Sequence, residues 1–111
     1  MRETIAFALT SKGYEVIRAK EGAGGLDVAL KEKPALVLLD IRLPGEMDGW
    51  DVLSSIRADP EMNTLPVLML TTINELGEIE KTVQLGATDY ITKPFNVERL
   101  LEKVKKLIGD P

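Results

Sequence analysis

Cysteine and histidine are both absent from the 111 residues, and aromatic side chains make up only 5%. Without cysteine there is no disulfide framework, thiolate zinc site or thiol nucleophile, and nothing calls for an oxidising compartment. Without histidine there is no Ser-His-Asp triad, and the usual zinc-hydrolase ligands are missing. Long apolar runs are lacking as well. Residues 35–39 form an unbroken apolar stretch, far below the roughly 20 residues a membrane-spanning helix needs. Met1-Arg2-Glu3 leads into a segment with no sustained apolar core, so no signal peptide is expected. Nor is there an excess of positive charge: 14 Lys and Arg stand against 18 Asp and Glu, a net charge of −4. A domain of this charge has no basic field to recruit nucleic acid or an anionic membrane. Its chemistry is expected to rest on carboxylates, Lys, Thr, Tyr, backbone groups and a hard metal ion, in the cytoplasm.

The composition suits one domain. A 44% hydrophobic fraction can fill a single small core, and 29% charged residues of mixed sign argue against disorder. No repeat, low-complexity tract or linker divides the chain, and short apolar runs alternate with stretches of helical period. Helices are expected over residues 2–12, 23–33, 50–58, 75–85 and 97–108. The second should turn Leu26, Ala29 and Leu30 inward, the third Val52, Leu53 and Ile56, and the fourth Leu76, Ile79 and Val83. In the last, Val97, Leu100, Leu101, Val104, Leu107 and Ile108 recur at helical spacing. Strands are expected over 14–19, 35–39, 66–70 and 88–92, with Lys93-Pro94-Phe95 as a loop. Strands alternating with helices of about ten residues imply an α/β fold with a mostly parallel sheet.

In such folds ligands bind outside the carboxyl ends of the strands, which selects Asp40, Thr71 and the Thr92-Lys93 pair. Singly, each has a plain structural role: an Asp after a strand is usually a turn former, a Thr a strand end, Lys-Pro a loop dipeptide. Together at one sheet edge, beside a Gly- and Pro-rich loop, they suit a phosphoryl group. A carboxylate can attack phosphorus, while a hydroxyl and an ammonium bind the equatorial oxygens over which charge spreads.

The segments LVLLDIRLPGEMDGWDVL, PVLMLTT and GATDYITKPF, followed by an amphipathic helix, resemble the receiver domain of bacterial two-component response regulators. The resemblance is closest in type to the chemotaxis regulators and covers almost the whole of residues 1–111. It implies a flavodoxin-like, doubly wound parallel sheet of strand order 2-1-3-4-5. It implies that Asp40 is the phospho-acceptor, receiving its phosphoryl group from a sensor histidine kinase, a phosphotransfer protein or a small phosphodonor. Lys93 and Thr71 would bind phosphoryl oxygens, and Thr71 with Tyr90 would form the switch that passes the state to the face 75–108, where a downstream protein docks. Asp40 and the backbone carbonyl of Arg42 would be ligands of Mg²⁺. Pro44, Asp48, Gly49 and Pro94 would shape the loops, the peptide before Pro94 being cis in the family, and Trp50 would pack at the start of its helix. A signalling phospho-acceptor is expected rather than an enzyme, with self-catalysed phosphotransfer and dephosphorylation at most.

Two departures from the family pattern stand out. The loop Pro44-Gly45-Glu46-Met47-Asp48-Gly49 is one residue longer than the commonest form. More seriously, the family opens with an apolar strand ending in an acidic pair that holds Mg²⁺, whereas Arg2-Glu3-Thr4-Ile5 corresponds to the helix after it. Four of five strands would then remain, with strand 1 and its acidic pair missing and the Mg²⁺ site weakened or lost. The gap implies an N-terminally truncated receiver, a direct pairing of 14–19 with 35–39, or a strand swap or homodimer in which another chain fills it. The competing reading is a pseudo-receiver, an interaction domain not phosphorylated for want of that pair. Two enzymes of related topology fit less well. A flavodoxin-like FMN protein needs a Ser/Thr-rich phosphate loop, and a dehalogenase-type phosphatase needs a second Asp where Arg42 stands.

Overall fold

The structure, a computed structural model, describes residues 9–14, 22–41, 47–72, 76–93 and 96–109. Within them the chain runs through helix α1 (Gly22–Glu32), strand β1 (Val37–Asp40), helix α2 (Gly49–Ala58), strand β2 (Val67–Thr72), helix α3 (Leu76–Gln84), strand β3 (Asp89–Lys93) and helix α4 (Val97–Ile108). The three strands form a parallel sheet in the order β1-β2-β3. Its register pairs Val37 with Val67 and Asp40 with Leu70 on one side of β2. On the other side Met69 pairs with Tyr90, Thr71 with Thr92 and Thr72 with Lys93.

Side chains alternate across a pleated strand, and both faces of this sheet are apolar, as a parallel sheet covered on both sides requires. Leu39, Val67 and Met69 face one way, against Ala29 of α1 and Val52, Leu53 and Ile56 of α2. Leu68, Leu70 and Ile91 face the other, against Leu100 and Val104 of α4 and Leu9 of the helical residues 9–11. This is the α/β architecture with a parallel sheet expected from the alternating pattern, in the doubly wound form that the family resemblance implies. The expected strand 14–19 lies, apart from Tyr14, outside the described residues, and with it the question of what pairs with the outer edge of β1.

Local chemistry sets the ends of these elements. Asp48 caps α2 by accepting a hydrogen bond from the Asp51 backbone N–H at 2.9 Å, and the Asp51 carboxylate accepts one from the Asp48 N–H at 3.0 Å. This reciprocal box contributes about 1 kcal/mol. Asn96 caps α4 through the Arg99 N–H at 2.7 Å. Helix α1 stops at Glu32, a residue before the expected end, because Lys33 takes a left-handed φ of 48° and Pro34 follows. Pairing of β1 begins at Val37 rather than 35, where the Val37 N–H reaches Pro66 O at 2.9 Å. Lys93, expected in a loop, instead completes β3. Two apolar side chains expected inward are exposed: Leu30 at 42% and Val83 at 58%. Among the described side chains of α3, Thr82 is the fully buried one.

Two ties hold the layers together at the end of the sheet away from Asp40. Arg57, near the end of α2, donates from Nε to Gly86 O and from Nη1 to Leu65 O, both at 2.8 Å, and from Nη2 to Thr88 Oγ1 at 3.3 Å. Its partial burial lowers its pKa from the ordinary arginine value, though a guanidinium remains charged. Gly86 has a φ of 97°, and a Cβ there would come within 3.3 Å of Arg57 Nε. The second tie joins β3 to α4, where Lys103 Nζ lies 2.9 Å from Asp89 Oδ2. Burial raises the Asp89 carboxyl, but the Lys103 hydrogen bond, the Tyr90 N–H and the charges of Lys103 and Lys106 outweigh it. Its pKa therefore lies below the ordinary 3.8.

Arg57→Ala should cost about 2 kcal/mol in urea denaturation, since it strands the Leu65 and Gly86 carbonyls. Arg57→Lys should recover less than half, a point charge being a poor substitute for the fork. A carboxyl with a depressed folded pKa stabilises the fold above its unfolded value, near 4, and that contribution disappears as pH falls through the lower folded value. Thermal melts of wild type and Asp89→Asn should therefore differ at pH 7 and converge as the pH falls through the depressed folded value.

Candidate functional site

Three parallel strands that begin at one edge must also end at one edge, and here they end in Asp40, Thr72 and Lys93. Asp40 closes β1 and is half-buried. It pairs with Leu70, one residue before Thr71. With strands about 4.8 Å apart and a rise of about 3.3 Å per residue, the Asp40 and Thr71 backbones lie about 6 Å apart, and those of Asp40 and Lys93 about 12 Å apart. Three residues predicted from sequence as a group are thus brought to one sheet edge. For Lys93 the description covers the backbone.

Thr71 is 1% exposed, and its Oγ1 is buried with no hydrogen-bond partner among the described residues. A buried hydroxyl in that state costs about 1–3 kcal/mol. Such groups are rare in native structures, and a site awaiting a ligand oxygen is one established reason for them. Tyr90 pairs with Met69, two residues before Thr71, so strand alternation sets Tyr90 and Thr71 on the same face of the sheet. Tyr90 is half-buried and packs against the α2-side core.

The first turn of α2 is pressed against the end of β1. The Gly49 N–H donates to Ile41 O at 2.8 Å. A Cβ at residue 49 would collide with the Asp40 carbonyl oxygen and sit 2.7 Å from Ile41 Cα. Only glycine allows this approach. With Asp48 as the cap, the Asp48-Gly49 pair thus fastens the helix to the backbone that carries Asp40. Arg42, Pro44 and Pro94, assigned to metal binding or loop shape, lie outside the described residues.

Trp50 packs as expected, half-buried against the α2-side core, and it also does something its sequence position did not signal. Its Nε1–H donates to Thr82 Oγ1 of α3 at 3.1 Å, and Lys81 Nζ lies 4.2 Å from the ring centroid. A cation over an indole face contributes about 0.5–1 kcal/mol at an exposed site. One signal for Thr82 was available: Leu85, one helical turn on, packs against the same core, which puts Thr82 rather than Val83 on the inner face.

Mg²⁺ fits the described residues poorly. The ion wants close to six oxygens, with one or two carboxylates plus water and substrate oxygens. Asp40 is the one carboxylate at the described carboxyl ends of the strands. No group of three or more acidic side chains suited to a metal occurs among the described residues. No helix among them is long and apolar enough to cross a membrane.

Known proteins place this architecture. The family model for the response regulator receiver domain matches residues 1–105. The polar-differentiation response regulator DivK of Brucella anthropi is 37% identical over 102 residues, spanning 92% of this chain and 82% of that protein. The receiver domain of NtrX from Brucella abortus has a TM-score of 0.88 at 30% identity, covering 96% of this chain and 88% of that one. The receiver domain of the sensor histidine kinase PA1611 from Pseudomonas aeruginosa PAO1, with a magnesium ion coordinated in its active site cleft, has a TM-score of 0.87 at 30% identity. There the coverage is 98% of this chain and 88% of that one. Domains of this kind are signalling modules of two-component systems rather than enzymes in their own right. By fold and by sequence, the chain belongs to the response regulator receiver domain family.

Proposed function

We propose that the chain is a phospho-accepting receiver in which Asp40 takes a phosphoryl group from a sensor histidine kinase, a phosphotransfer protein or a small phosphodonor. A carboxylate oxygen of Asp40 attacks phosphorus. The bond from phosphorus to the donor nitrogen or oxygen breaks, its electron pair leaves with the donor, and an acyl phosphate forms. The Thr71 hydroxyl donates to one phosphoryl oxygen and the Lys93 ammonium pairs with another. The positive charge of Lys93 offsets part of the charge that the phosphoryl group brings. Thr71, drawn toward the new oxygen, vacates space on the sheet face it shares with Tyr90, and Tyr90 carries the change to the face built from α3, β3 and α4. There a downstream protein reads it.

The observation that carries this reading is the buried, unpartnered hydroxyl of Thr71, one strand spacing from Asp40 in a register that also delivers Lys93. A phosphoryl oxygen held at Asp40 would satisfy that hydroxyl. The second reading, an interaction domain that is never phosphorylated, draws on the single carboxylate at the described strand ends.

Intact-mass spectrometry with acetyl phosphate, with and without excess Mg²⁺, separates the two. The acceptor reading expects a gain of one phosphoryl group, lost in Asp40→Asn, and the interaction-domain reading expects no gain. Thr71→Val should stabilise the unphosphorylated fold by about 1 kcal/mol, because an isosteric methyl removes an unmet hydrogen bond, while slowing phosphoryl uptake. A loss of stability in Thr71→Val would show that the hydroxyl is already satisfied.

A further inference from the structure

The two contacts that flank residue 50 form a continuous physical link. On one side, the Gly49 N–H is bonded to Ile41 O, and the Gly49 Cα lies so close to the Asp40–Ile41 backbone that no side chain fits between them. On the other, the next residue, Trp50, reaches α3 through its indole N–H to Thr82, a residue with no exposed surface, while Lys81 stands over its ring. Helix α3 is also the element that follows β2, whose end carries Thr71. It is therefore tied to both ends of the acceptor site: by the chain to Thr71, and by Trp50 to the backbone of Asp40.

We propose that Trp50 is a latch between the acceptor end of β1 and helix α3, with Thr82 as its catch. This inference rests on the acceptor reading of Asp40. The indole is rigid and its N–H is a single donor, so it cannot follow a relative shift of α2 and α3 without lengthening or losing the bond to Thr82. Occupation of Asp40 pushes on the backbone against which Gly49 is pressed, and occupation of Thr71 pulls on the strand that feeds α3. Either shift loads the same hydrogen bond. The latch favours the resting position of α3, so releasing it favours the occupied state, since whatever stabilises one of two states weakens the ligand that prefers the other. The link also gives α3 a route to the site that does not pass through Tyr90.

The chain contains one tryptophan, so indole emission reports on this latch alone. The full chain is titrated with beryllofluoride in excess Mg²⁺, and binding is followed separately by fluorine NMR. The expected result is a bound fluoride resonance and a change in Trp50 emission that saturate together. Thr82→Val should abolish most of the emission change and tighten beryllofluoride binding about 3–10-fold, the effect of removing one hydrogen bond from the resting state. Thr82→Ser should restore wild-type behaviour. Lys81→Met, at an exposed position that leaves folding intact, should shift the resting emission and give a smaller gain in affinity. Bound fluoride with unchanged Trp50 emission, or with wild-type affinity in Thr82→Val, overturns the latch and leaves the acceptor reading standing. Absence of any bound fluoride overturns both.

Discussion

The parallel register of β1, β2 and β3 is the constraint on which everything else rests. Antiparallel neighbours would send Asp40 and Thr71 to opposite edges of the sheet. Parallel ones must deliver them to the same edge, and the pairing of Asp40 with Leu70 and of Lys93 with Thr72 sets their order along it. The register is strongly specified because both faces of the sheet are buried. A one-residue slip of β2 would exchange Val67 and Met69, which pack on α2, with Leu68 and Leu70, which pack on α4. The apolar core thus positions the polar edge, although no core residue touches the chemistry.

At that edge the fold accepts a local cost. At the other end of the sheet Arg57 alone satisfies two backbone carbonyls and a threonine hydroxyl. At the acceptor end, Thr71 Oγ1 is buried without a partner among the described residues. On the acceptor reading proposed above, hydrogen bonding is complete where nothing has to bind and is left open where a ligand oxygen would arrive.

Much of this was legible in the residues. Helix α4 has the bounds that its apolar spacing indicates, because Asn96 caps it and its buried stripe through Leu100 and Val104 meets one flat sheet face. The polar strand ends were legible too, since each follows an apolar run that must be a covered strand. What escaped was decided by partners distant in sequence. The partner that Thr82 meets on the inner face is Trp50, 32 residues earlier, which donates to its hydroxyl, while Val83 lies outside. Lys33 ends α1 in a left-handed conformation that its residue type does not announce. Gly49 reads as an ordinary turn glycine until the close approach of the Asp40–Ile41 backbone shows why nothing larger fits.

The central claim is chemical: the carboxylate of residue 40, set beside Thr71 and Lys93, accepts phosphorus. The most direct measurement is to treat the chain with acetyl phosphate, reduce it with borohydride, which converts an aspartyl phosphate into homoserine, and map the product by peptide mass spectrometry. The account predicts homoserine at position 40 and at no other aspartate. Homoserine at a different position, or none after prolonged exposure to the donor, would contradict it.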